Sequence, residues 1–247
     1  MAKTYSKSEI EEMFKTAIKK PNTFYQHDFI NYTGTLKDDG NTSYTEYISG
    51  LLLQNDNYKV FDDIQKITRE KSYRTENHFK NFKINYESNR EEEKIAKFFF
   101  RFQKNNNSFG KIIDFQTPLK DTNDNKVGKI DLLAYDESSK IARIFELKKP
   151  ESDETLLRCI LESFTYSKII DSEKLKEDFK EEGLADCCKI IPCPLIFKNS
   201  QPYKDFEKSK KNGHSNIKRL LSAFQEEVFV IRETTPERFF LANQEKY

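Results

Sequence analysis

The chain has no tryptophan, two methionines and four cysteines in 247 residues, and no apolar run long enough to cross a bilayer. Without tryptophan, the aromatic share of a core falls to 21 Phe and 12 Tyr. Cys159, Cys187, Cys188 and Cys193 include no C-x-x-C pair, which argues against a zinc ribbon. Cys187 and Cys193 with His214 are the remaining combination for zinc, and a disulfide framework does not suit a cytoplasmic chain of this length. His27, His78 and His214 are isolated in the sequence and read as surface or packing residues. P-loop, G-x-G-x-x-G, H-E-x-x-H and G-x-S-x-G patterns are all absent, so the common nucleotide, zinc-protease and serine-hydrolase signatures do not apply. Neither sign of charge dominates. The net charge of +1 neither demands nor excludes a polyanionic partner.

What is present is a strongly charged surface, 34% Asp, Glu, Lys and Arg, around enough apolar residues for a sizeable core. No membrane association is expected. The opening MAKTYSKSEIEEMF carries no apolar leader, so a cytoplasmic location is the expectation. The first 85 residues read as a helical N-terminal region, and 86–247 as a mixed α/β domain. Ser6 and Glu9 begin a capping box ahead of Ile10, Phe14 and Ile18, predicting a helix over 6–19. Tyr44, Tyr47, Ile48, Leu51 and Leu52 predict another over 42–54. Further on, the pattern predicts a helix at 87–103 and strands at 112–118, 128–136 and 140–148. A helix at 153–171, a strand at 189–197, a helix at 215–226 and a short edge strand at 227–232 complete the order.

Charge gathers locally. Ile64–Lys83 is basic with interleaved Tyr73, Phe79 and Phe82; Tyr203–Arg219 is basic and reads as flexible. Such runs are ordinarily solvated faces. As a nucleic-acid surface they would offer Lys71, Arg74, Lys80, Lys210 and Lys211 to phosphates.

The sharpest signal lies in GKIDLLAYDESSKIARIFELKKP. Asp131 interrupts one apolar run, and Glu146 and Lys148 sit two apart in the next. Side chains two apart on a strand share a face, so Glu146 and Lys148 align with Ile144 while Phe145 and Leu147 face away. Charges on a buried strand face cost several kcal/mol, on the order of a lost hydrogen bond or more, unless compensated. Two compensations are available: a divalent cation between the carboxylates, or an ion pair between Lys148 and the two acids, which seldom adds net stability.

These residues and the order of elements around them resemble the PD-(D/E)XK nuclease superfamily, with Asp131 as its Asp and Glu146-Leu147-Lys148 as its (D/E)-x-K. The family's proline is replaced by Ile130. The resemblance covers roughly residues 87–200. It implies a restriction-endonuclease-like mixed β-sheet flanked by helices, and Mg²⁺ or Mn²⁺ held by Asp131 and Glu146 with Lys148 beside it. It also implies hydrolysis of phosphodiester bonds, most simply in DNA. RecB-like branches place a Gln four residues before a Tyr on the following helix; here Glu162 and Tyr166 have that spacing, with Arg158 as the alternative partner for Glu162. A further metal-directed Glu on the first helix would be Glu92, which shares the apolar face of Ile95, Ala96 and Phe99 where Glu91 and Glu93 do not. The resemblance also admits a catalytically silent module that keeps the fold and binds nucleic acid or protein.

Overall fold

A computed structural model of the chain describes residues 4–80, 82–102, 105–106, 108–121, 128–211, 215–235 and 238–244. Two short helices open it. The first, α1 (Lys7–Ala17), starts at the Ser6 capping box, where Ser6 and Glu9 satisfy each other's backbone N–H. Ser43 caps the second, α2 (Tyr44–Leu53). A four-residue turn of helix, α3 (Glu76–Phe79), leads towards α4 (Glu91–Phe102). The sequence pattern starts that last helix at Glu87. The chain instead holds a turn there, with Asn85 Oδ1 accepting from Glu87 N and Ser88 Oγ from Arg90 N. These local side-chain bonds compete with the helical ladder and delay its start.

The strands are β1 (Asn105–Asn106), β2 (Gly110–Pro118), β3 (Lys129–Asp136), β4 (Ile141–Leu147), β5 (Lys189–Phe197), β6 (Phe229–Thr235) and β7 (Arg238–Gln244). Among the described residues they form one sheet in sequence order. β2, β3 and β4 are antiparallel, β5 and β6 run parallel to β4, and β7 turns back against β6. The order helix, three strands, helix, strand is present as α4, β2–β4, then α5 (Leu156–Ile169) and β5. The crossovers also carry α6 (Ser172–Asp178), α7 (Gln201–Lys211) and α8 (Asn216–Phe224). The protein is thus α/β, a mixed sheet between helical layers.

Two apolar clusters flank the sheet. Phe115, Leu132, Phe145, Leu147 and Leu195 pack towards Ile95, Ala96, Phe99 and Phe100 of α4. Ile113, Leu133, Ile144 and Ile196 pack in a second cluster with α5, α8 and the helices of residues 5–73. That second cluster runs without a break across residue 85, so the N-terminal region is a layer of the same core.

Two sequence expectations need correction. β6 is an interior strand, paired to β5 on one side and β7 on the other, because residues 238–244 supply a further hairpin strand beyond the apolar run. Residues 203–211 are helical instead of flexible: α7 buries Pro202, Phe206 and Ser209 and carries its lysines outward. As for the membrane, no helix among the described residues is long and apolar enough to cross one.

Candidate active site

The site forms where the β3–β4 ladder ends. Backbone pairing stops at Leu132–Phe145. The next N–H of β4 on that side, Leu147 N, donates to the Asp131 carboxylate at 2.9 Å. Asp131 is therefore held by its side chain across the gap between the diverging strands. Its other oxygen accepts from Gln116 Nε2 at 2.6 Å. Gln116 lies within β2 yet has φ of 48°, a left-handed conformation that costs a non-glycine residue on the order of 1 kcal/mol. The kink is braced on its strand: Thr117 Oγ1 donates to Asp114 Oδ2 at 2.7 Å, and His78 Nδ1 lies 2.7 Å from Asp114 Oδ1.

Glu146 and Lys148 face α5, opposite to Phe145 and Leu147, as period-two alternation requires. The Lys148 ammonium is 2.8 Å from Glu146, 2.9 Å from Glu162 and 2.7 Å from Glu154. Thr155 caps α5 by accepting from Arg158 N, which sets the helix so that Glu162 points inward, two turns on. Tyr166, one turn further, donates to Glu162 at 2.9 Å. The loop before β3 touches the same ring, for a Cβ at Gly128 would overlap the Tyr166 hydroxyl. Arg158, the alternative partner for Glu162, pairs with Glu154 instead at 3.3 Å. Glu92 reaches the site from α4 and accepts from Lys149 N at 3.4 Å.

Burial and crowding dominate the electrostatics. Asp131, Glu146, Glu162 and Lys148 are each at least nine-tenths buried. Burial, with Glu92 and Glu162 adding negative charge, pushes the Asp131 carboxyl up to about 7 against the pull of Leu147 N and Lys148. Burial and the Glu162 charge raise Glu146 well above the usual carboxylate range. Glu162 goes the other way: burial would raise it, but the Lys148 charge and hydrogen bonds from Lys148 and Tyr166 hold it low. Lys148 would be lowered by burial, yet Glu146 and Glu162 outweigh that and raise it well above its ordinary value. Burial also raises Glu92. Burial first, and the neighbouring acids second, thus raise Asp131 and Glu146, while the Lys148 ammonium holds Glu162 low.

A cleft of about 560 Å³ opens over Asp131, lined by Arg90, Glu92, Gln116, Lys129, Lys149 and Glu154. Among the described residues no three His, Cys, Asp or Glu side chains are set as a cage for a metal ion. The acids converge on Lys148 instead. Their donors are nonetheless all hard carboxylate oxygens, and Asp131, Glu92 and Glu154 face an open cleft. That chemistry fits Mg²⁺ or Mn²⁺ at Asp131 and Glu146, with Glu92 across the cleft. For zinc, Cys187 and Cys193 are free buried thiols, while His214 lies outside the described residues.

The five cations considered for nucleic acid are elsewhere. The described residues of Ile64–Lys83 touch several parts of the fold, Ile67 N donating to Ile169 O and His78 stacking on Phe115 of β2. Arg69 is buried there and donates to Lys120 O, and Asp121 accepts from Glu70 N and Lys71 N. Arg74 ion-pairs with Glu76, Glu181 and Glu182 and stacks on Phe79. Lys80 is exposed beyond α3. Lys210 and Lys211 end α7, Lys210 near Glu207. None of the five lines the cleft over Asp131. Residue spacing gave no hint of Gln116 or Glu154, and the cleft lysines Lys129 and Lys149 were hidden beside the motif itself.

No family model, curated protein or solved structure matches the chain.

Proposed function

We propose that the protein is a metal-dependent phosphodiesterase of the PD-(D/E)XK type, a nuclease acting most simply on DNA. The observation that carries this reading is Asp131 lining an open cleft, with the buried cluster of Glu146 and Glu162 on Lys148 close enough to act on its charge. Such an arrangement is costly as a structural device and useful as a charged reaction centre.

Asp131 and Glu146 would hold the cation, with Glu92 as a third oxygen donor from α4. When bound, Mg²⁺ or Mn²⁺ lowers the pKa of water and offsets charge on the scissile phosphate. Lys148, anchored by Glu154 and Glu162, would stand beside Glu146, one of the residues that would hold the cation. There it orients the nucleophile and neutralises developing negative charge. Tyr166 and Lys148 keep Glu162 ionised, so Glu162 steers Lys148. Gln116 and Leu147 N fix the rotamer of Asp131. Lys129 and Lys149, exposed at the cleft, would hold the phosphates on either side.

The three carboxylate contacts of Lys148 favour a second reading, a silent module in which the cluster is an ion-pair network. Cleavage of labelled single- and double-stranded DNA and of RNA, with Mg²⁺ or Mn²⁺ and with EDTA, separates the two. Metal-dependent cleavage lost in Asp131→Asn supports the enzyme. Cleavage of none of these substrates, with calorimetry showing no cation bound, supports the silent module.

A further inference from the structure

The large hydrophobic side chains exposed among the described residues are both aromatic, Tyr86 at 70% and Phe102 at 58%. They stand at the two ends of α4. Tyr86 is held at the tip of the Asn85 turn, where Lys94 Nζ donates to its carbonyl at 3.3 Å. Phe102 packs beside Phe98, ring centroids 4.9 Å apart, one helical turn earlier. Between them, Tyr86, Phe98, Ile84, Ile95 and Pro150 line a pocket of about 370 Å³.

This pocket continues the cleft over Asp131. Glu91 lines both. Lys149, in the cleft, precedes Pro150, in the pocket, and its ammonium is 3.9 Å from Glu91. From Glu91, positions 94/95, 98 and 102 recur every three or four residues, so they form a stripe along one side of the helix. At 1.5 Å per residue the stripe runs roughly 16 Å away from the reaction centre. Cations accompany it: Lys94, Lys149 and Arg101, whose guanidinium is 5.5 Å from the Phe102 ring.

We propose that this aromatic track carries an unpaired strand of the substrate, with bases stacked on Tyr86, Phe98 and Phe102 and phosphates met by Lys94, Lys149 and Arg101. The substrate class is then single-stranded nucleic acid, or a duplex with a single-stranded tail. A paired duplex keeps its base faces inside the helix and has nothing to stack on exposed rings, whereas every unpaired base offers a π-face. Aliphatic side chains would serve a protein partner equally well. Exposed rings interleaved with cations, leading out of a phosphodiesterase cleft, suit a strand. The assignment rests on the nuclease reading for what is cleaved, but not for what is bound.

Binding is therefore measured without metal. In EDTA at low salt, fluorescence anisotropy of the full chain with labelled oligothymidylate should show tighter binding than to a hairpin duplex. Tyr86→Ala with Phe102→Ala should weaken oligothymidylate binding roughly 10- to 100-fold. The same pair should leave duplex binding unchanged, and Tyr86→Phe with Phe102→Tyr should retain strand binding. Both rings are exposed, so circular dichroism should report an unchanged fold. Equal strand affinity in wild type and the alanine pair overturns the proposal, as does a wild type that prefers the duplex. A shift in sedimentation from dimer to monomer with strand affinity intact overturns it too, and makes the face a contact between copies. If the chain binds through the two rings but cleaves nothing, the track stands and the hydrolase reading falls. If it cleaves with Mg²⁺ and ignores both substitutions, the reverse holds.

Discussion

Asp131 and Asp136 lie on the same strand, and their carboxyls are driven in opposite directions. Asp136, at the turn into β4, accepts from the hydroxyls and backbone N–H groups of Ser138 and Ser139, and these hold it down to about 2. Asp131, at the other end, is buried among acids and pushed up to about 7. The first is a turn residue whose every neighbour favours its charge. The second is kept where charge is disfavoured, and local folding supplies no reason for that. On the proposed reading, the contrast separates the structural end of the hairpin from the reacting one.

The largest test of that contrast is catalytic. Asp131→Asn should reduce metal-dependent cleavage by roughly 10³-fold, a loss typical of removing an electrostatic participant, with no drop in melting temperature. Asp136→Asn should leave the cleavage rate within about two-fold. Equal rates for wild type and Asp131→Asn would remove the distinction between the two ends. Next, Lys148→Met should unfold more readily by about 3–5 kcal/mol in urea titrations, since it strands buried carboxylates without a counter-charge. A neutral effect there would mean that the cluster is already protonated and carries no ion pair.

A smaller effect is expected at Glu226, a second buried acid outside the site. Ser163 donates to one oxygen at 3.1 Å and the other has no hydrogen-bond partner. Burial raises this carboxyl well above the usual range. A raised folded value means that stability present at low pH is lost as pH climbs past the ordinary carboxylate value and through the raised one. Glu226→Gln should therefore be more stable than wild type at pH 8, on the order of 2 kcal/mol, and equal to it near pH 4. A difference independent of pH would contradict the charged, buried state.

The smallest effect is at Asp136. A depressed value gives stability that is present above about pH 4 and lost as pH falls towards about 2. Asp136→Asn should cost about 1 kcal/mol at pH 7, discounted for a partly solvated side chain, and nothing near pH 2. Chemical denaturation at the two pH values measures it.

Local order was well written into the sequence. The Ser6 capping box and the Glu162–Tyr166 pair both depend on residues at most four apart, and the structure brings each pair into contact. Contacts spanning the chain were not legible. Arg74 looks like a free cation beside aromatics until Glu182 arrives from α6's far side, 108 positions later. Gln116 reaches Asp131 only because its backbone turns left-handed inside a strand, and no local pattern announces that. Glu154 belongs to no motif, and only the approach of its loop to Lys148 brings it to the site.

The bond from Leu147 N to Asp131 has a use in solution. That amide is protected from solvent exchange by a carboxylate instead of by a strand carbonyl. Its deuterium uptake should follow the state of Asp131: slow while the carboxylate accepts, faster in Asp131→Ala, and altered when a cation draws on the same oxygens. The neighbouring N–H of Lys148, bonded to Leu195 O at 3.0 Å, is the internal control. One backbone proton at the mouth of the hairpin would thus report a cation bound at Asp131 independently of any cleavage.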